Sequence, residues 1–158
     1  AVPLSKQMRQ LPPLLVTIGI TVLVGGFFTT VSAIAIGALL NAEELVILSL
    51  AAKSVTTPIA VGITEQIGGL VTLIVMVVLL TGIVGILFAQ TVFNLVKITD
   101  ERWQGLILGI SAHAIGTAKA FDKSPRCGAF ATLGMGLNGI WTAVFLPPLM
   151  PILVAIFL

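Results

Sequence analysis

Lys53-Ser54-Val55-Thr56-Thr57-Pro58-Ile59-Ala60 lies inside an otherwise apolar run of about 25 residues, Ala42 to Ile67, long enough to cross a bilayer. A lysine, hydroxyl side chains and a proline in the middle of such a run are incompatible with a plain membrane helix. Pro58 has no N–H to donate and clashes with the preceding turn, and Thr57 before it is pushed toward extended geometry. The helix is therefore expected to stop near Ala52 and to restart at Pro58, which suits a first helical position. Thr56 or Thr57 can cap the new helix by accepting from its free N–H groups.

The composition agrees with immersion in lipid. Hydrophobic residues make up 58% of the 158-residue chain and charged residues 9%, against roughly a quarter charged in a soluble domain. The mean hydropathy is +1.18. The expected class is all-α and polytopic, with residues 1–158 forming a single transmembrane domain. Its first partner is the bilayer itself. A net charge of +2 gives no reason to expect a nucleic-acid partner. One cysteine, Cys127, excludes an internal disulfide, and one histidine beside it makes a protein-built zinc site unexpected. No cofactor is expected. Ala1-Val2-Pro3-Leu4 reads as the continuation of an earlier segment, so the chain is expected to be the C-terminal part of a longer one.

Along the chain, Lys6 and Arg9 place residues 1–10 on the cytoplasmic side. Leu11 to Leu40 carries no charge, and Gly25-Gly26 is the place where it is expected to bend. Glu43 and Glu44 suit the first turn of the next helix. The interrupted span from Glu44 to about Ile67 follows, then a Gly68-Gly69 turn. The apolar segment Leu70 to Val96 carries Gly82 and Gly85 for close helix packing. Trp103 to Phe121 is a second irregular segment, with Ser111, His113, Gly116 and Thr117 near its middle. Lys119, Lys123 and Arg126 form a basic connection assigned to the cytoplasm. Ala129 to Leu158 closes the chain, with Gly134 and Asn138 as packing positions. The total is about five spans, two of them discontinuous.

Interrupted helices at membrane depth survive only where they are buried in protein or line a wet cavity. The helix starting at Pro58, the Thr56 and Thr57 hydroxyls and the Lys53 charge together suit a carboxylate. With one helix between them, however, two broken crossing spans would run in the same direction, which inverted repeats forbid. Either the second is a re-entrant hairpin, or its symmetry partner lies in a preceding segment.

Several motifs carry a family resemblance. They are Ala1-Val2-Pro3-Leu4 with Lys6-Gln7, the block Lys53 to Ala60, and Ala112-His113-Ala114-Ile115-Gly116-Thr117-Ala118 with Gly128-Ala129-Phe130. Together they resemble the LrgB/CidB family of integral membrane proteins over the whole chain. Ala114 and Lys119 depart from the family pattern, which has Gly and Arg there. The resemblance implies a multi-pass protein of the bacterial inner (plasma) membrane. It also implies a small LrgA/CidA-like partner and links to murein hydrolase control and lysis as a holin- or antiholin-like regulator. Plastid proteins similar in their carboxyl part move glycolate and glycerate, and some bacterial pairs are associated with pyruvate.

The expected function is thus a carrier of small monocarboxylates (glycolate, glycerate or pyruvate class) by alternating access. Lys53, Ser54, Thr56, Thr57, Pro58, His113, Gly116 and Thr117 are the expected substrate-binding residues. His113 or Glu65 is the expected coupling group, and Glu65 is the alternative salt-bridge partner of Lys53. Gly82, Gly85, Gly134 and Asn138 pack helices, and homo-oligomeric assembly is expected. The alternative is the lysis regulator acting with its LrgA/CidA-like partner. Ser111 and His113 are two apart, do not share a helix face, and lie in no nucleophile elbow, so no enzyme is expected.

Overall fold

The computed structural model describes residues 12–158; Lys6, Arg9 and the assignment of residues 1–10 to the cytoplasm lie outside the described residues. A 3-10 turn at Pro12–Leu14 leads into helix α1 (Leu15–Leu39). Gly25-Gly26 does not interrupt α1. These glycines instead let Ile110 and Asn138 approach its backbone. Helices α2 (Glu44–Leu50) and α3 (Thr57–Gln66) are joined by turns through residues 51–56. Then come α4 (Val71–Leu95), α5 (Glu101–Lys123) and α6 (Pro125–Phe157). No strand occurs among the described residues.

The turn chemistry between elements recurs. After α1, α3 and α4, the residues Asn41, Gly68 and Lys97 take φ of 52°, 82° and 57°. The next N–H in each case reaches back to a carbonyl of the last turn, those of Gly37, Thr64 and Phe93. This closure satisfies the last carbonyls and reverses the chain tightly. Lys97 adopts a conformation that costs an L residue about 1–2 kcal/mol, and Gly68 does so freely.

Two segments fold back on themselves. In α5 the backbone leaves helical geometry at His113 (φ 41°, ψ −126°). Beyond it the chain returns: Ser124 Oγ donates to Glu101 Oε2 at 2.6 Å, and Lys123 donates to Gln104. A straight helix would put residues 101 and 124 about 35 Å apart. Gly116 lies against the Leu108 carbonyl, midway along the two arms. The α2–α3 segment does the same about residues 51–56. There the Leu70 N–H donates to Ser49 Oγ at 2.6 Å, and Gly69 packs on the Ser49 backbone. Glu44 and Gln66, at the outer ends of α2 and α3, line one cleft.

With these returns, about five spans are not seen among the described residues. Pro12–Leu39, Val71–Leu95 and Pro125–Phe157 are the three helices among the described residues long and apolar enough to cross a membrane. They present large apolar side chains outward, among them Phe28, Met76, Leu87 and Ile140. Pro147, Pro148 and Pro151 sit within α6. In lipid, such prolines are tolerated when neighbouring groups satisfy the freed carbonyls.

The hairpin bases set the running directions of the long helices. α1 runs from one end of the molecule to the other, where the first hairpin has its base. α4 returns, and α5 has its base at the starting end, from which α6 crosses again. A hairpin-then-helix unit, residues 44–95, is thus followed by a second, residues 101–157, with opposite sense. Apolar packing follows this plan. Ile47, Val55 and Ile63 of the first hairpin join Ile34, Ile74 and Leu146 in one cluster, and Leu106 and Ile110 of α5 join Ile18, Phe130 and Trp141 in another.

Candidate functional site

The two hairpin tips meet at Asn138. Its side-chain amide donates to the Ser54 carbonyl at 3.0 Å and to the Ile110 carbonyl at 3.3 Å. Both acceptors exist because helix is interrupted nearby, at residues 51–56 and at His113, and a carbonyl without its helical donor needs another. Asn138 is 1% exposed and its Oδ1 has no hydrogen-bond partner. That oxygen faces Gly26 of α1, where an added Cβ would come within 2.7 Å of it. The meeting point touches the middle of each long helix: Gly26 and Thr30 on α1, Val78 and Gly82 on α4, Asn138 on α6.

Lys53 stands on the first tip. Residues 51–55 extend α2 by i→i−3 bonds, Ala51 to Leu48, Lys53 to Leu50 and Val55 to Ala52. Lys53 Nζ lies 3.4 Å from Ser54 Oγ and pairs with no carboxylate among the described residues. Glu65 is exposed two turns along α3 and makes no bridge to it. Thr56 occupies the cap position of α3 with extended geometry, yet its side chain makes no capping bond. The first-turn N–H groups of α3 therefore keep the partial positive charge of an uncapped helix start. Pro58 falls in that first turn; the helix begins one residue before it, at Thr57. Thr57 and Pro58 are exposed, whereas Ser54 is buried.

His113 forms the second tip. Its Nε2 lies 3.0 Å from the Val78 carbonyl. A carbonyl oxygen only accepts, so Nε2 carries the proton and Nδ1 is the nitrogen left to gain one. The positive φ of a non-glycine residue costs on the order of 1–3 kcal/mol. The Val78 bond and the Thr117 hydroxyl, which donates to the His113 carbonyl at 2.7 Å, hold the residue there.

Other expected site residues take different positions. Gly116 is buried between the arms of α5 and packs them; the break itself falls at His113. Thr117 is buried, with its hydroxyl engaged by His113 and near Met135 Sδ at 3.8 Å. Ser111 donates to Ile107 of its own arm at 2.7 Å. Gly82 receives Ile115 and His113 of the second tip, Gly85 receives Ala112, and Gly134 lies on the Leu106 backbone. The sequence reading missed the carbonyls of Ser54 and Ile110, which no side-chain pattern announces, and Thr30, which donates to the Ala51 carbonyl at 3.3 Å.

Charge is sorted along the molecule. Glu43, Glu44 and Glu65 belong to the end that holds the base of the first hairpin, with no basic residue among them. Lys97, Arg102, Lys119, Lys123 and Arg126 belong to the opposite end, mixed with Asp100, Glu101 and Asp122. Lys53 is the one charged residue among the described residues that stands at a hairpin tip.

Fold and junction define an all-helical integral membrane protein with three helices fit to cross the bilayer and two helical hairpins whose tips meet between them. The chain belongs to the LrgB-like family, whose model matches residues 1–152. It is 35% identical over 147 residues to the uncharacterized protein YwbG of Bacillus subtilis, covering 93% of this chain and 65% of that protein. It is 27% identical over 157 residues to the holin-like protein CidB of Staphylococcus epidermidis, covering 99% of this chain and 67% of that protein. An uncharacterized Haemophilus influenzae protein is 26% identical over 147 residues, covering 93% of this chain and 64% of that one. The chain thus spans about two thirds of the length of these curated relatives. No solved structure matches.

Proposed function

We propose that this chain forms the substrate-binding part of a carrier for small monocarboxylates of the glycolate, glycerate or pyruvate class. Alternating access would operate around the junction of the hairpin tips. The observation that carries the reading is Lys53, a lone cation at mid-height among three long apolar helices, paired with no acid among the described residues. An ionisable group at that depth is expensive and needs a reason. The uncapped start of α3 adds partial positive charge beside it. Lys53 would hold the carboxylate with Ser54, Thr56 and Thr57, and His113 Nδ1 would accept a coupling proton.

The sorting of charge supports an orientation in the inner membrane, with the basic end cytoplasmic and the base of the first hairpin outside. Both hairpins would then be re-entrant, one from each face. Ser111 and His113 engage separate carbonyls, which favours a role without covalent chemistry. The test is an uptake and counterflow screen of short hydroxy and keto acids with the full-length protein in proteoliposomes. Saturable uptake whose KM Lys53→Ala raises supports the carrier; no uptake of any acid removes it.

A second reading rests on the relatives named holin-like protein CidB. In it, the outward apolar faces of α1 and α4 assemble with further copies or with an LrgA/CidA-like partner and modulate lysis. Lysis control that survives Lys53→Ala unchanged favours this reading; control lost together with uptake favours an indirect effect of transport.

A further inference from the structure

The two hairpins are anchored unequally. α5 lies backbone to backbone on α6: a Cβ added to Gly105 or Gly109 would strike the carbonyls of Cys127 and Ala131. One added to Gly134 would come within 2.5 Å of the Leu106 carbonyl. The Lys123–Gln104 and Ser124–Glu101 bonds tie the two arms of α5 together, and at its tip His113 Nε2 bonds the Val78 carbonyl of α4 at 3.0 Å. The first hairpin instead meets its neighbours mainly through apolar side chains, Ile47, Val55 and Ile63 against Ile34, Ile74 and Leu146.

Within lipid such contacts hold weakly, because acyl chains are as apolar as the side chains they would replace. Polar ties therefore decide which arm stays. The first hairpin has one at its base, Leu70 N–H to Ser49 Oγ. At its tip it has the Asn138 bond to Ser54 at 3.0 Å and a longer Thr30 bond to Ala51 at 3.3 Å. Among the described residues its outer face is uncovered, with Thr57, Pro58 and Glu65 exposed and nothing within 4 Å of a Cβ placed on Gly62.

We propose that Asn138 is the latch of the site: its bond to Ser54 holds closed the tip that carries Lys53, and the first hairpin, not α5, is the arm that opens. Asn138 is then a positioning residue, acting on Lys53 through the backbone of Ser54. What passes the open arm rests on the carrier reading; the opening itself does not.

Thiol labelling reads that opening without any substrate. In full-length protein lacking native cysteines (Cys127→Ala in this segment), Val55→Cys reports the first tip and Ile110→Cys the second. Both positions are buried, at 2% and 4% exposure. A membrane-impermeant methanethiosulfonate reagent is applied to proteoliposomes with and without Asn138→Leu. Loss of a bond worth about 1.4 kcal/mol is expected to speed Val55→Cys labelling about tenfold. Ile110→Cys stays protected, although its carbonyl loses the same partner.

Equal acceleration at both positions, or at neither, overturns the latch. Where Asn138→Leu does not insert, Asn138→Ala, which can donate to neither carbonyl, carries the same comparison. Uptake measured in parallel separates the two ideas. Raised KM with the maximal rate retained in Asn138→Leu is expected of a positioning residue, whereas absent uptake in the unaltered protein sinks the carrier and leaves the labelling result standing.

Discussion

Lys123 donates a hydrogen bond to Gln104, although the two are 19 residues apart in one helical segment. In a continuous helix they would be separated by about 28 Å. The contact makes α5 a hairpin and brings both its ends together at one end of the molecule. Cysteines at the two positions, in a background without Cys127, are expected to form an intramolecular disulfide or to be bridged by a short cross-linker. Failure of both, with cysteines at 99 and 124 labelled from opposite sides of the membrane, would restore a crossing α5.

Lys53 has no acidic partner among the described residues, and the proposed carrier assigns its charge to the substrate carboxylate. A hydrogen-bonded charge contributes about 1.5–3 kcal/mol, so Lys53→Ala should raise the KM for a monocarboxylate about ten- to hundredfold. Membrane insertion and thermal stability in detergent should change little, because no salt bridge is broken. An unaltered KM would leave the lysine without a role in binding.

His113 donates from Nε2 to Val78, which leaves Nδ1 to take a proton. His113→Gln is expected to flatten the pH profile of uptake between about pH 5 and 8, where an imidazole changes charge. A profile that keeps its shape would assign proton coupling to another group.

Gly109 and Gly136 lie on the same hairpin-plus-helix unit but differ in surroundings. A Cβ on Gly109 meets the Ala131 carbonyl, while one on Gly136 meets nothing within 4 Å. Gly109→Ala should destabilise by about 1–3 kcal/mol, as overpacking does. Gly136→Ala should be neutral or stabilise by about 0.5–1 kcal/mol, because glycine is a poor helix residue. Thermal unfolding in detergent reads both, and equal effects would contradict backbone contact between α5 and α6.

Asp100 caps α5, accepting from the Arg102 N–H at 2.9 Å, and its carboxylate is bound again by the Arg102 guanidinium. The Arg102 side-chain hydrogen bond holds its carboxyl below the usual range. A depressed folded value means that the contribution is complete above the unfolded pKa and disappears as pH falls through the folded one. The cap should therefore be insensitive to pH near neutrality and weaken only in acid. Asp100→Ala should cost about 1 kcal/mol and Asp100→Asn a few tenths, since Asn also caps. Equal losses from the two substitutions would argue against capping.

The residues alone determined the chemistry of the tips. A lysine and hydroxyls beside Pro58, and a histidine among small residues, stand out in a chain where nearly everything else is apolar, and lipid penalises each of them. What they could not determine was direction. Whether a helix resumes straight or doubles back after a break depends on a few dihedral angles, such as those at His113. Those angles are held by partners far away in sequence: the Val78 carbonyl, the Lys123–Gln104 bond, and glycines that admit α6. Tertiary structure alone folded the two interrupted segments back on themselves and brought their tips to Asn138, because backbone carbonyls carry no signature in sequence and acquire a role only when another chain segment reaches them.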